Sequence, residues 1–540
     1  MRGLGLTACL GVLLLALAAP AWAQEKDRPL APPVPVADDA LTAALETGEL
    51  TEAEYALERA RSLFQLGHVR REFGDVARAS AHDATLILRD LAARVDDLGG
   101  AERVAAEHIL ARPDEGGVPV GNGWSVEEGD SSPECDDRVC IHWVDTSPDA
   151  PPATDVNEDG IPDWVRQTQE TWSDVWSKQI GEIGYRAPLS DESSPHGGTK
   201  KLDVYLDNLG SDEYFGYCAS DDPDRTRVSA VSAYCVIDND FADFGIEHTP
   251  EEYLQVTSAH EFHHASQFAY DWAEDAWLME GTAANMEETV YPDINDNVSF
   301  LRNWSPLTRP TSPLDRGGTG DSEYGSWIFW RYLQEKVGGG NPGILRQIWR
   351  RAEPVNDYSL EVVRHELGER RLGFAGVFAN FATANRRLDY ADAVDADYPS
   401  PGLAKTFTVG TQTPDTGWRS WRIDHLATQY LAFKPGQQVS SVARLRVSTR
   451  LPANGAIATL IIVDADGSST TRRLQRKANG YADGVTGFGR GDVKRVEVVF
   501  SNGSTRITSC WSFPGPPAYS CAGRPLDDRR LFQLRGKLLS

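Results

Sequence analysis

The 540-residue sequence predicts an α+β region set between a helical N-terminal stretch and an all-β C-terminal region. Three observations carry that expectation. Leu/Ala-rich runs with helical spacing fill the chain before residue 112. Short alternating strands then lead into one long, capped helix. After residue 402, short β-type runs are separated by turns rich in Gly, Asn and Asp. A chain of this length holds two to four domains.

Residues 1–23 have the layout of a secretory signal peptide. Arg2 supplies the positive start, Leu10 to Ala19 the apolar core, and Ala21-Trp22-Ala23 a cleavage site before Gln24. Cys9 lies ahead of the apolar core, so no lipid anchor is expected, and no later run approaches the eighteen or so apolar residues of a membrane span. Residues 24–115 form the helical segment, with helices expected over Ala40 to Leu66 and Ala81 to Ala111. It ends at Arg112-Pro113 and runs into Gly-rich sequence, which is the layout of a propeptide; a permanent helical domain is the alternative. No cysteine lies between Gln24 and Glu134. Any inhibition by this segment would therefore be steric, or use a carboxylate or a histidine such as His108.

Residues 125–400 form the α+β region. Strands are expected at Cys140 to Val144, Lys201 to Asp207 and Ala230 to Ile237, followed by mostly helical sequence to about Leu388. Residues 405–540 read as a β-sandwich, with strands at Tyr430 to Phe433, Ala443 to Val447, Ala458 to Val463 and Val496 to Phe500. Six cysteines fall into close pairs, Cys135/Cys140, Cys218/Cys235 and Cys510/Cys521, and export favours three local disulfides. The net charge of −27 argues against nucleic acid or an anionic membrane as a partner. Nothing in the sequence specifies an oligomeric state.

The chemistry is concentrated in Val256-Thr-Ser-Ala-His260-Glu261-Phe-His-His264. Thr249-Pro250-Glu251-Glu252 reads as a capping box with proline at the first helical position, and no Gly or Pro interrupts Glu251 to Ala269. On that helix His260 and His264 project from one face, one turn apart, and can share a zinc ion. Glu261 lies about 100° around the helix, within reach of a water but not a ligand itself. Glu280, in Trp277-Leu-Met-Glu280-Gly281-Thr-Ala283, is the expected third ligand, and a fourth position would remain open, as in catalytic zinc sites. His263 and Glu287 are candidates to support the ligands. His365-Glu366-Leu-Gly-Glu369 begins like the motif but lacks its second histidine, and reads as an exposed helix face.

A second candidate site is Asp155-Val-Asn157-Glu-Asp159-Gly160-Ile161-Pro-Asp163, which places oxygen ligands at alternate positions with glycine at the sharp turn. This resembles the short calcium loops of extracellular proteins, although Arg166 stands where an EF-hand has its bidentate glutamate. Calcium is therefore expected at Asp155, Asn157, Asp159, Ile161 and Asp163, with an Asx-rich turn as the alternative.

The zinc motif resembles that of the gluzincins, in which a glutamate on a second helix completes the site, and W-L-x-E-G-x-A is similar to their third-ligand segment. Gln267 and Tyr270 stand where metzincins have glycine and a third histidine. The order D-x-N-x-D-G-I-P-D, D-V-Y-L, H-E-x-x-H, W-x-x-E-G-x-A also resembles a family of secreted bacterial metalloproteases over roughly Cys135 to Gly340. These resemblances imply a zincin-like fold and hydrolysis of a protein or peptide substrate. They also make Tyr324 a candidate to stabilise the oxyanion; a core aromatic is the other reading. Two rival functions remain open at this point: a calcium-dependent extracellular binding or adhesion protein with a peptidase-like core, and a zinc hydrolase of non-peptide substrates.

Overall fold

The computed structural model describes residues 39–539, apart from 80–82, 116–122, 125–131, 193, 195–197, 223–229, 318–321, 354–356, 509 and 511–518. The expected signal peptide and its cleavage site lie outside the described residues.

Four helices open the described residues: α1 (Ala40–Thr47), α2 (Glu52–Phe73), α3 (Ala84–Ala92) and α4 (Gly100–Ile109). The two long helices expected here are each divided. Gly48 adopts a left-handed φ of 75° and its N–H closes onto carbonyls of α1, which ends that helix. Thr51 and Glu54 then cap α2 reciprocally. α3 stops before a short turn at Val95–Asp97, and α4 restarts at Gly100. Buried side chains of α2, α3 and α4, among them Leu57, Leu88 and Ile109, join the same core as the region that follows.

That region is built on a five-stranded sheet of order β1-β2-β3-β5-β4. Its strands are β1 (Glu134–Cys135), β2 (Val139–His142), β3 (Leu202–Asp207), β4 (Gly216–Ala219) and β5 (Tyr234–Asp238). β2, β3 and β5 run parallel, while β4 pairs antiparallel to β5 and forms one edge. All three expected strands are shorter than predicted: β2 ends at His142, β3 begins at Leu202 and β5 begins at Tyr234. The helices are α5 (Asp163–Trp176), α6 (Pro250–Asp271), α7 (Ala276–Val290), α8 (Val298–Asn303), α9 (Ser322–Gly325), α10 (Trp327–Tyr332), α11 (Gly343–Ala352), α12 (Leu360–Glu369) and α13 (Phe374–Arg387). α6 is buried on nearly every side from Tyr253 to Asp271. A helix surrounded in this way can hold polar groups only if they are partnered or bind something.

The C-terminal region contains two antiparallel-dominated sheets, ordered β11-β10-β13-β8-β6 and β12-β9-β16-β7. In chain order these strands are β6 (Lys405–Val409), β7 (Arg419–Ile423), β8 (Thr428–Pro435), β9 (Arg444–Arg450), β10 (Ala456–Asp464), β11 (Ser469–Arg473), β12 (Tyr481–Gly487), β13 (Val493–Asn502) and β16 (Arg530–Leu539), with a separate pair β14 (Ile507–Thr508) and β15 (Arg524–Pro525) between the last two. A second core, including Leu431, Val447, Leu460, Val498 and Phe532, fills the space between the sheets. The molecule is thus an α+β region followed by a β-rich one. Arg386 to Glu497 (2.7 Å) and the Tyr430 hydroxyl to the Ala382 carbonyl (2.9 Å) join the two.

All three disulfides form as paired in the sequence: Cys135–Cys140, Cys218–Cys235 and Cys510–Cys521. No helix among the described residues is long and apolar enough to cross a membrane. Both features are compatible with an extracellular protein.

Candidate metal centre

The geometry begins with the cap of α6. Thr249 Oγ1 accepts the Glu252 N–H at 3.2 Å, and the Glu252 carboxylate accepts the Thr249 N–H at 2.8 Å, with Pro250 at the first helical position. From there α6 runs for 22 residues without a break, so His260 and His264 stay one turn apart. α7 follows after only four residues and crosses against α6. Its rotation is set by Gly281: a Cβ there would lie 2.2 Å from Trp330 Nε1 and 2.4 Å from Ser326 Oγ. Glycine lets α7 touch the start of α10, and Trp277 stacks on Trp330 at 4.8 Å. Glu280 is thereby turned toward α6.

Ligand atoms of His260, His264 and Glu280 all lie within 4.8 Å of one another, and all three residues are buried. Glu280 Oε2 is 3.2 Å from His260 Nε2 and 3.3 Å from His264 Nε2. The opposite ring nitrogens are engaged elsewhere. His260 Nδ1 is 2.6 Å from Glu287, and His264 Nδ1 is 2.8 Å from Gln267 Oε1. Gln267 is held in that orientation because its Nε2 donates to the Met279 carbonyl and to Thr282 Oγ1. Each imidazole therefore carries its proton on Nδ1 and presents Nε2 inward, the tautomer a metal ligand needs.

The donor set fits a metal ion. His264 Nε2 and Glu280 Oε1 are buried without a hydrogen-bond partner. An unsatisfied buried polar group costs about 1–3 kcal/mol, so converging orphans of this kind mark a place for a cation. Without metal, the cluster has to take up a proton. Burial would lower the His260 pKa, but Glu280 and Glu287 hold it well above 6.5. Burial would raise that of Glu280, but His264 and His260 hold it at about 2. A dication would replace that proton.

Glu261 also faces inward, and burial raises its pKa against the pull of His264 and His260. Its Oε2 accepts a hydrogen bond from Thr85 Oγ1 of α3 at 3.0 Å. Tyr324, on α9, packs over the His260 ring with centroids 6.1 Å apart, and its hydroxyl donates to Asp83 Oδ1 at 3.2 Å. Glu287 touches a ligand as expected. His263 does not: its Nδ1 meets Gln179 Oε1 at 2.9 Å, and burial beside two other imidazoles holds it well below 6.5 and neutral. His108 is exposed on α4, so it does not enter this buried centre.

The loop from Asp155 to Asp163 is arranged differently. Among the described residues, only His260, His264 and Glu280 form a His/Cys/Asp/Glu group close enough to share an ion, so Asp155, Asp159 and Asp163 do not converge. Their oxygens accept local N–H groups: Asp155 from Gly160 (2.8 Å), Asp159 from Ile161 (3.1 Å) and Asp163 from Val156 (3.3 Å). Asn157 donates to Asp159, which also pairs with Arg166. In the incomplete motif on α12, His365 lies beside Asp357 and Glu369 is exposed, but Glu366 is buried and paired with Arg370.

Sequence reasoning missed Thr85, Asp83, Gln267 and Gln179. Gln267 could have been found, since it lies three residues after His264 on the same helix face. Thr85 and Asp83 carry no local signal, being more than 170 residues from the side chains they touch. No protein-family model matches the chain, and no curated protein matches it.

Proposed function

We propose that the protein is a secreted zinc endopeptidase of gluzincin type, its α+β region being zincin-like. The observation that carries this reading is the buried convergence of His260, His264 and Glu280 beside an independent carboxylate, Glu261. Two imidazoles and one carboxylate suit zinc and leave a position for substrate chemistry. Zinc bound there would act as a Lewis acid and lower the pKa of a coordinated water to about 7.

The chain's own groups have distinct tasks. Glu261 takes a proton from the attacking water and returns it to the leaving amine. Burial favours this role by raising the pKa of Glu261 above that of an exposed carboxylate, toward the working pH. Glu287 and Gln267 orient the two imidazoles. Tyr324, whose ring packs over that of His260, donates to the developing oxyanion once freed from Asp83. Secretion is supported by the signal-like residues 1–23 and the three disulfides. The intact donor set weighs against a binding protein with a degenerate peptidase core.

Zinc content and casein cleavage, measured on the wild type and on Glu261→Gln, test this reading. Both proteins should hold about one zinc, and only the wild type, tested with and without residues 24–115, should cleave. A glutamine variant that cleaves equally well would refute the role of Glu261.

A further inference from the structure

The metal centre is closed from outside: His260, Glu261, His264 and Glu280 are each 0–2% exposed. The element that closes it is α3. Thr85 Oγ1 donates to Glu261 and accepts the N–H of Cys218 at 2.9 Å. Cys218 lies in β4, the edge strand, so the same hydroxyl occupies both the proposed base and a backbone group of the sheet edge. Two residues earlier, Asp83 holds the Tyr324 hydroxyl. One turn later, buried Arg89 donates to the Glu274 carbonyl at 2.8 Å and lies 3.0 Å from Met279 Sδ, next to Glu280. α3 thus engages the two groups assigned to the reaction and anchors on the turn between α6 and α7.

The far end of the segment is fastened as well. The Arg112 guanidinium is wholly buried and paired with Asp191 (2.6 Å), Asp203 (2.7 Å) and Asp221 (2.8 Å), over the ring of Tyr234. All three carboxylates belong to the α+β region.

We propose that residues 39–115 keep the site latent, with α3 filling the place a substrate must take beside Glu261 and Tyr324. Because Arg112 remains clamped, a single cut beyond it does not by itself release the segment. This inference rests on the peptidase reading above, and its test separates the two.

The full chain is prepared with a site-specific protease sequence inserted between residues 116 and 122, and compared uncut, cut, and cut then diluted. Two quantities are followed: hydrolysis of an internally quenched peptide, and the half-time for removal of bound zinc by dipicolinate. The uncut chain should hold zinc, cleave slowly and release the metal slowly. The cut chain should stay latent at micromolar concentration. On dilution to nanomolar it should gain at least tenfold in specific activity and lose zinc at least tenfold faster. Thr85→Ala in the uncut chain should accelerate zinc removal and hydrolysis several-fold. Faster zinc removal without hydrolysis would support occlusion and refute the peptidase reading. An uncut chain as active as the diluted one, or a zinc half-time unchanged by cutting and dilution, would overturn latency. A Thr85→Ala variant that cleaves more slowly would also overturn it, making Thr85 a support for Glu261.

Discussion

Two stretches of this chain carry metal-type sequence patterns, and the structure treats them in opposite ways. At His260, His264 and Glu280 the donors are buried, converge on one point, and include two polar atoms with nothing to bond. At Asp155, Asp159 and Asp163 the carboxylates are half-buried or exposed and take up the N–H groups of their own turn. The spacing of residues is informative in both places. What separates them is desolvation: a donor removed from water and left unpaired is costly until a cation arrives, whereas a solvated carboxylate in a satisfied turn is not.

The largest effects should fall on the buried centre. His260→Ala, His264→Ala or Glu280→Ala should abolish stoichiometric zinc, read by elemental analysis, while Glu261→Gln keeps the metal and loses turnover by several orders of magnitude. Loss of metal in Glu261→Gln would place it among the ligands and redraw the site. The groups behind the ligands come next. Glu287→Gln and Gln267→Leu should weaken zinc about 10–100-fold in a competition with a chelating dye. Equal affinity in both would mean that the imidazoles need no help in orienting.

Gly281→Ala should destabilise the protein by about 1–3 kcal/mol in urea unfolding, because its Cβ meets Trp330 and Ser326 across the α7–α10 contact. Calcium sharpens the comparison directly. If the Asp155–Asp163 turn is already satisfied, millimolar calcium should move the melting temperature by no more than about 1–2 °C. A rise of several degrees, lost in Asp159→Asn, would show that the loop regroups around the ion and would erase the contrast.

The smallest effect belongs to the β-rich region. A hydrogen bond from Arg535 holds Asp415 down at about 2. Its folded pKa is depressed, so its contribution is present above the ordinary value of 3.8 and fades as pH falls toward 2. The pair faces solvent, so Asp415→Asn should lower the melting temperature at pH 6 by no more than ~1–2 °C, and the difference should vanish near pH 2.

Legibility in the sequence follows the range of the interactions. The α6 cap and the histidine pair could be read because a helix fixes what lies three or four residues away, and Glu280 because the W-L-x-E-G-x-A string resembles a known ligand segment. β8, β10 and β13 were legible as buried apolar runs. β7 (Arg419–Ile423) and β11 (Ser469–Arg473) were not, since each is mostly exposed and rich in arginine, which is how edge strands avoid stray pairing. The breaks at Gly48 and near Gly99 divided helices whose composition alone reads as continuous. The contact between Thr85 and Glu261 is 176 residues long in sequence, and no local rule reports it.

The Arg112 clamp bears on how the molecule is assembled. Asp191, Asp203 and Asp221 meet at a single cation brought in by the N-terminal segment. A chain lacking that segment must fold with three crowded carboxylates and only the His142 imidazole, 3.1 Å from Asp203, beside them. Removing one partner of a buried ion pair costs about 3–5 kcal/mol, a large part of the 5–15 kcal/mol that holds a typical domain together. Loss of Arg112 would therefore destabilise the folded sheet. A protein that later loses the segment would persist through the height of its unfolding barrier more than through the depth of its native well.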